Sequence, residues 1–403
     1  MTIVLLILAV LLNLAPSDGT IMCPDNTTCH YPSPRQCAAG NDNGAWDGGP
    51  PGRGSICAGA GGHDLLYAGG HPPDTCSTVI VADVNVVDGP TAGFGSDPNQ
   101  CPYAGWTTDV HDPSVAKVRN TYYVFGTGAG LPILASTDRV HWRHAGVVFK
   151  NNLPPWAAAT IPGTQNPWAP DISYFAGAWH VYYAISTFGS KTSAIGFATA
   201  PKITGPWTDR GMVIKSDDTT DYNAIDPNVI LDGAGQPWLV FGSFFGGIRA
   251  VTLDKRTGKR SGMITPIASR IAPTWGIEAS FVIHRGDFYY LFVSFDNCCR
   301  GSQSTYNIRV GRSTSVDGTY TDDTGMPMLL GGGRLVLESS GTHRGPGHEA
   351  VLRDGGTWRL FFHYYDATAK GTARLGILPL TWTSDGWPVA TWSDLRRTQV
   401  TRR

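Results

Sequence analysis

Three carboxylates and one histidine open copies of a single repeated phrase. Asp112 begins Asp112-Pro113-Ser114-Val115, Asp226 begins Asp226-Pro227-Asn228-Val229, Glu278 begins Glu278-Ala279-Ser280-Phe281, and His348 begins His348-Glu349-Ala350-Val351. A fifth copy, Ala169-Pro170-Asp171-Ile172, begins on alanine. One Asp-Pro by itself is ordinary turn chemistry, with the side chain bonded to nearby backbone. Recurrence in register points to groups that converge, and converging like charges oppose one another's ionisation unless the arrangement is used. Two carboxyl groups flanking a neutral substrate can break a glycosidic bond. One gives a proton to the leaving oxygen, and the other takes a proton from an attacking water. A third carboxylate can hold the donor protonated near neutral pH. His348, read as a neutral imidazole, is a poor charge partner for three carboxylates, so a hard divalent cation ringed by water and oxygen is expected near it.

The elements that must position these groups follow each phrase. About ten residues on stands an aromatic-rich strand: Tyr122-Tyr123-Val124-Phe125, Trp179-His180-Val181-Tyr182-Tyr183, Trp238-Leu239-Val240-Phe241, Phe288-Tyr289-Tyr290-Leu291-Phe292 and Trp358-Arg359-Leu360-Phe361-Phe362. The copies are spaced by roughly 50–70 residues, which suits a blade of four short strands plus loops. Turn-rich segments close each unit, among them Thr204-Gly205-Pro206-Trp207 and Ser384-Asp385-Gly386-Trp387. No convincing helical period appears in this region. The reading is all-β, a five-bladed β-propeller over 103–403, with an all-β sandwich as the blander alternative. In a propeller the first strand of each blade lines the axis, which brings Asp112, Asp226, Glu278 and His348 to one end of it. Trp106, Trp168, Phe188 and Phe244 are candidates for sugar stacking at that mouth, although aromatics also pack blades.

The chain has 403 residues with 50 Gly, 28 Pro and a formal net charge of −1. That balance gives no reason to expect nucleic acid or an acidic membrane surface as a partner. Residues 1–19 read as a secretory signal: an apolar run from Ile3 to Leu12, then small and polar residues, with no Lys or Arg before the run. The run is too short to span a bilayer, so the mature chain is expected to be secreted, with no membrane attachment. Residues 20–102 form a Cys-rich, Gly/Pro-rich region of unassigned function, whose strand signals are Thr78–Val81 and Val84–Val87. It holds Cys23, Cys29, Cys37, Cys57, Cys76 and Cys101, while Cys298 and Cys299 stand alone and adjacent. The six match no common zinc spacing and imply disulfides whose pairing sequence cannot sort. Asn26-Thr27-Thr28 is a glycosylation sequon.

Several stretches resemble the endo-α-1,5-L-arabinanases of glycoside hydrolase family 43. They are Val110-His111-Asp112-Pro113-Ser114, Asn166 through Tyr174, Ser186-Thr187-Phe188-Gly189-Ser190, Tyr222 through Val229, Gly242-Ser243-Phe244, Cys298 through Arg309, and Gly345-Pro346-Gly347-His348. They match in order across all five blades and do not reach residues 20–102. The resemblance implies a five-bladed propeller that inverts anomeric configuration, with Asp112 as general base, Glu278 as general acid and Asp226 tuning and orienting Glu278. It implies calcium held by His348, mostly through waters, and a substrate groove lined by Trp168, Phe188, Asn223 and Ser243. It also implies that Cys298 and Cys299 do not pair with the N-terminal six. One departure is Glu278-Ala279-Ser280, where relatives often carry Pro or Tyr; it leaves local packing open.

The expected function is therefore secreted, internal cleavage of arabinan, the arabinose side chain of pectin, by a monomeric enzyme. An exo-acting α-L-arabinofuranosidase or β-xylosidase on the same scaffold is the nearest alternative. A non-catalytic sugar-binding propeller is the other, and three retained carboxylates argue against it.

Overall fold

The computed structural model describes residues 109–270 and 276–393, and of the region before them only the backbone of four short strands. The chain divides into two units, Met1–Gly105 and Trp106–Arg403. In the first, β1 (Thr20–Met22) pairs antiparallel with β2 (Thr28–His30), and β3 (Leu65–Tyr67) with β4 (Val79–Val81). The signal segment, Val84–Val87, Trp106 and the pairing of the six N-terminal cysteines lie outside the described residues.

The second unit is a five-bladed propeller, each blade an antiparallel sheet of four strands in chain order. Blade 1 holds β5 (Ser114–Val118), β6 (Thr121–Phe125), β7 (Pro132–Ser136) and β8 (Arg143–Val147). Blade 2 holds β9 (Trp168–Phe175), β10 (Ala178–Ile185), β11 (Ser193–Ala200) and β12 (Thr208–Ser216). Blade 3 holds β13 (Asn228–Leu231), β14 (Pro237–Ser243), β15 (Gly247–Thr252) and β16 (Thr265–Ala268). Blade 4 holds β17 (Ile277–Arg285), β18 (Phe288–Phe295), β19 (Asn307–Ser313) and β20 (Arg334–Leu337). Blade 5 holds β21 (His343–Asp354), β22 (Thr357–Asp366), β23 (Thr372–Trp382) and β24 (Pro388–Val389).

The second strand of each blade is sandwiched between neighbouring blades, so it is apolar on both faces and does not alternate. Val124-Phe125, Leu239-Val240-Phe241, Leu291-Phe292-Val293 and Leu360-Phe361-Phe362 are fully buried. Five apolar clusters result, one in each gap between adjacent blades. The gap that closes the ring, between blades 5 and 1, has the smallest cluster and adds charge. Asp354 of blade 5 accepts from Lys117 Nζ at 2.6 Å and Arg139 at 3.2 Å, and from the Tyr122 hydroxyl. Arg374 pairs with Asp109. Among the described residues no strand is shared between the first and last blades; one isolated antiparallel bridge, Asp109↔Arg374, joins their backbones, and side chains supply most of the rest of that joint.

A hydrogen-bond repeat fixes the register between blades. The third residue of one phrase accepts the backbone N–H of the fourth residue in the next. Ser114 Oγ takes Ile172 N–H at 3.0 Å, Asp171 Oδ2 takes Val229 N–H at 3.0 Å, and Asn228 Oδ1 takes Val282 N–H at 2.9 Å. Val282 is thus the counterpart of Ile172 and Val229, which makes Ala279, not Glu278, the counterpart of Asp112. Backbone angles agree: Asp112, Ala169, Asp226, Ala279 and His348 have φ of 52°, 45°, 53°, 57° and 49°. The expectation that Glu278 opens the fourth phrase is therefore corrected by one residue. The fourth phrase lacks the proline that follows the corner residue in blades 1 to 3, and the corner itself coincides with a β-bulge. Pairing passes from Glu278↔Ser294 to Phe281↔Phe292, with one extra residue on the inner strand. Blade 2 does the same between Trp168↔Ala184 and Asp171↔Tyr182, and blade 5 between Gly347↔His363 and Ala350↔Phe361.

Candidate active site

Left-handed backbone is costly for residues with a Cβ, and it persists where surroundings over-determine it. Here the N–H of the left-handed residue is captured by the preceding blade at four of the five positions. Ala169 N–H donates to Thr127 Oγ1 at 2.7 Å, Ala279 N–H to Asp226 Oδ2 at 2.9 Å, His348 N–H to Ser294 Oγ at 2.8 Å, and Asp112 N–H to His363 Nδ1 at 3.2 Å. These bonds lock the corners at one end of the inner strands. Asp112, Asp226 and Glu278 each stand there about 8% exposed.

The groups lie close enough to set one another's ionisation. Burial raises Glu278 to about 8, and the neighbouring Asp226 charge adds to that rise. Tyr306 donates its hydroxyl to Glu278 Oε1. Burial likewise raises Asp226, to about 6. Asp112 is buried too, yet two imidazoles outweigh burial and hold it well below the usual carboxylate range. His111 Nδ1 lies 2.8 Å from its Oδ2 and His348 Nδ1 lies 3.1 Å from its Oδ1. Thr127 also donates to Oδ2. Near neutral pH one carboxyl is therefore an ionised acceptor and another a protonated donor. This is the division of labour a general base and a general acid need.

His348 departs from the neutral imidazole expected. Burial opposes its protonation, but Asp112 overcomes that and lifts it to about 9. Charge compensation among the carboxylates is thus already present in the chain. Calcium favours six to eight oxygen ligands. The described donors that gather within 4.8 Å are His111, Asp112 and His363, and Asp112 already accepts from three side chains. No protein oxygen cage exists in that set. Buried His363 Nε2 and Glu349 Oε1 lack protein partners, which leaves polar capacity for water. An ion at His348 would have to displace the imidazole proton and take its other ligands from water.

Of the groove residues expected, Trp168 is half-buried at the bulge of blade 2, in the seat that Glu278 occupies in blade 4. Phe188 is 81% exposed on the β10–β11 loop. Asn223 and Ser243 are buried and bonded to each other, Nδ2 to Oγ at 2.8 Å, with Asn223 Oδ1 unpartnered. Phe244 is half-buried.

Sequence reasoning assigned no role to His111, Tyr306, Glu349, His363 or Tyr365. His363 is fully buried, stacks on His111 at 4.1 Å, and is held neutral by burial. Burial lifts Glu349 to about 8, and it accepts from Ser294 at 3.0 Å. The available signal was a polar residue inside an apolar second strand, Phe362-His363-Tyr364-Tyr365.

A propeller whose axis mouth pairs an ionised Asp with a protonated Glu has the parts of a glycoside hydrolase. The family model for glycosyl hydrolases family 43 matches residues 106–388, and the chain belongs to that family. Among curated relatives, an extracellular endo-α-(1→5)-L-arabinanase of Bacillus subtilis is 42% identical over 284 residues, covering 69% of this chain and 87% of that one. An extracellular exo-α-(1→5)-L-arabinofuranosidase of Cellvibrio japonicus is 39% identical over 299 residues, covering 70% and 86%. The solved Cellvibrio cellulosa α-L-arabinanase complexed with arabinohexaose superposes with a TM-score of 0.69 at 37% identity, covering 72% of this chain and 98% of that one.

Proposed function

We propose that the chain is a secreted arabinan endo-1,5-α-L-arabinosidase that hydrolyses internal bonds with inversion. The observation that carries this reading is the opposite ionisation of Asp112 and Glu278 in one mouth. Asp112, ionised, takes a proton from a water behind the anomeric carbon. Glu278, protonated, gives its proton to the leaving oxygen, and Asp226 keeps that proton in place. Trp168 and Phe188 offer apolar faces for furanose rings. The extracellular names of the relatives support secretion, and the arabinohexaose complex of the Cellvibrio enzyme supports the substrate class.

Endo action is the harder half of the reading, since one relative is named endo and another exo. Viscosity of debranched arabinan separates the two. Rapid viscosity loss with few new reducing ends is expected, and free arabinose released from the first minutes at nearly unchanged viscosity would make the enzyme exo-acting. Proton NMR of the first product should show the inverted anomer; retention would overturn the assignment of Asp112 as base.

Calcium belongs to the same proposal. His348 would hold it as the single side-chain ligand, and the ion would supply positive charge in place of the imidazole proton. Prolonged chelation that leaves both activity and melting temperature unchanged would remove calcium from the reading. Residues 20–102 are proposed as an accessory region and the enzyme as a monomer, which truncation at residue 103 and light scattering would test.

A further inference from the structure

We propose that Tyr365 is a positioning residue for Asp112, tying the Cys298–Cys299 turn to His111 and through it fixing the orientation of the Asp112 carboxylate. The proposal rests on the reading of Asp112 as the base.

The chain of contacts crosses from blade 4 to blade 5 to blade 1. Cys298 and Cys299 are bonded to each other, which closes a small ring over two consecutive residues and restricts the backbone there. Cys299 has φ 65° and its N–H donates to the Tyr365 hydroxyl oxygen at 2.8 Å. That hydroxyl lies 2.9 Å from His111 Nε2, and His111 Nδ1 lies 2.8 Å from Asp112 Oδ2. Cys299 Sγ also stands 3.9 Å from His111 Nε2.

Donor and acceptor roles give the relay a direction. Tyr365 oxygen accepts from Cys299, so its own proton is available for His111 Nε2. An imidazole that accepts at Nε2 carries its proton on Nδ1. That proton faces Asp112, which as a carboxylate can only accept. Without the tyrosine hydroxyl the other tautomer becomes available, and a bare Nδ1 lone pair would face Oδ2. Stacking on His363 holds the plane of the His111 ring at an interplanar angle of 19°, but stacking does not choose between tautomers. Tyr365 reinforces the tautomer that Asp112 requires, and the locked Cys299 amide fixes where Tyr365 points. Nothing in this relay touches the groove residues, so the effect belongs in turnover and not in substrate affinity.

The test is a double-mutant cycle in the full-length protein, measuring kcat and KM on arabinan for the wild type, Tyr365→Phe, Cys298→Ser/Cys299→Ser, and the combination. Loss of one oriented hydrogen bond predicts kcat about tenfold lower for Tyr365→Phe. KM should stay within about twofold, since a lost transition-state contact falls on kcat. The serine pair should lower kcat by a smaller factor through the same route, and the combination should be no worse than Tyr365→Phe alone. Wild-type kcat in Tyr365→Phe, a loss confined to KM, or losses that multiply in the combination would each overturn the relay. Asp112→Ala separates the two readings. If it stays active, the base assignment has failed; if it is dead while Tyr365→Phe is normal, only the relay has failed.

Discussion

The two halves of the axis mouth use the same kind of group in the same depth of protein and obtain opposite results. Glu278 and Asp226, facing each other across blades 3 and 4, are raised to about 8 and about 6. Asp112, at the joint of blades 1 and 5 and equally buried, is held well below its ordinary range. Burial acts in the same direction on all three. What separates them is company: a second carboxylate in one half, and His111 with His348 in the other. Which carboxyl is ionised and which protonated is therefore set by the neighbours, not by the carboxyl groups themselves.

The largest break in this contrast is Asp112→Asn, which removes the ionised member. Loss of kcat on arabinan by roughly 10²–10⁴-fold is expected, as for removal of a general base, and an aryl arabinoside should suffer too, because water is still unactivated. Glu278→Gln should be comparably poor on arabinan yet recover much of its rate on an aryl arabinoside whose phenolate leaves unaided. Equal losses on both substrates would erase the distinction between the halves.

Two smaller effects sharpen it. Glu278 donates only while protonated, so kcat should fall as pH rises through about 8. Asp226→Asn removes the charge that helps hold the proton, and the alkaline limb of the profile should move to lower pH; a limb that stays put would leave burial as the whole cause. The smallest effect concerns the joint that carries Asp112. Asp354→Ala removes the acceptor shared by Lys117, Arg139 and Tyr122, leaving Arg139 its bond to the Tyr122 hydroxyl, and should cost about 1–2 kcal/mol in urea unfolding, since these pairs are partly open to water. The gap from wild type should narrow in high salt. Lys117 and Tyr122 hold Asp354 below its ordinary range. Its contribution is thus present above the ordinary carboxylate range and lost as pH falls through the lowered value.

Much of this was legible in the chain itself. The phrase and its aromatic strand recur because every blade solves the same packing problem, so five blades and the four axis groups could be read directly. The register of blade 4 could not. A bulge is a backbone event, and Ala279-Ser280 lacks the proline that marks the corner in blades 1 to 3. His363 and Tyr365 were hidden for another reason. They lie within a buried second strand, and their role depends on which blade comes to rest beside them. The mutual bond of Cys298 and Cys299 was likewise unreadable from adjacency, since the resemblance only argued that they do not pair with the N-terminal six.

The locked corner also has a consequence for how such a site can change. Each blade presents two consecutive seats at the mouth: His111 and Asp112, Trp168 and Ala169, Ile225 and Asp226, Glu278 and Ala279, Gly347 and His348. The corners are secured largely through main-chain amides, so most occupants can be exchanged while the frame stays as it is; Asp226 is the exception, because its carboxylate also holds the Ala279 corner. Carboxyl, imidazole and aromatic groups are then like cards dealt to ten fixed places. New specificities could be reached by single substitutions, without redesign of the wheel that carries them.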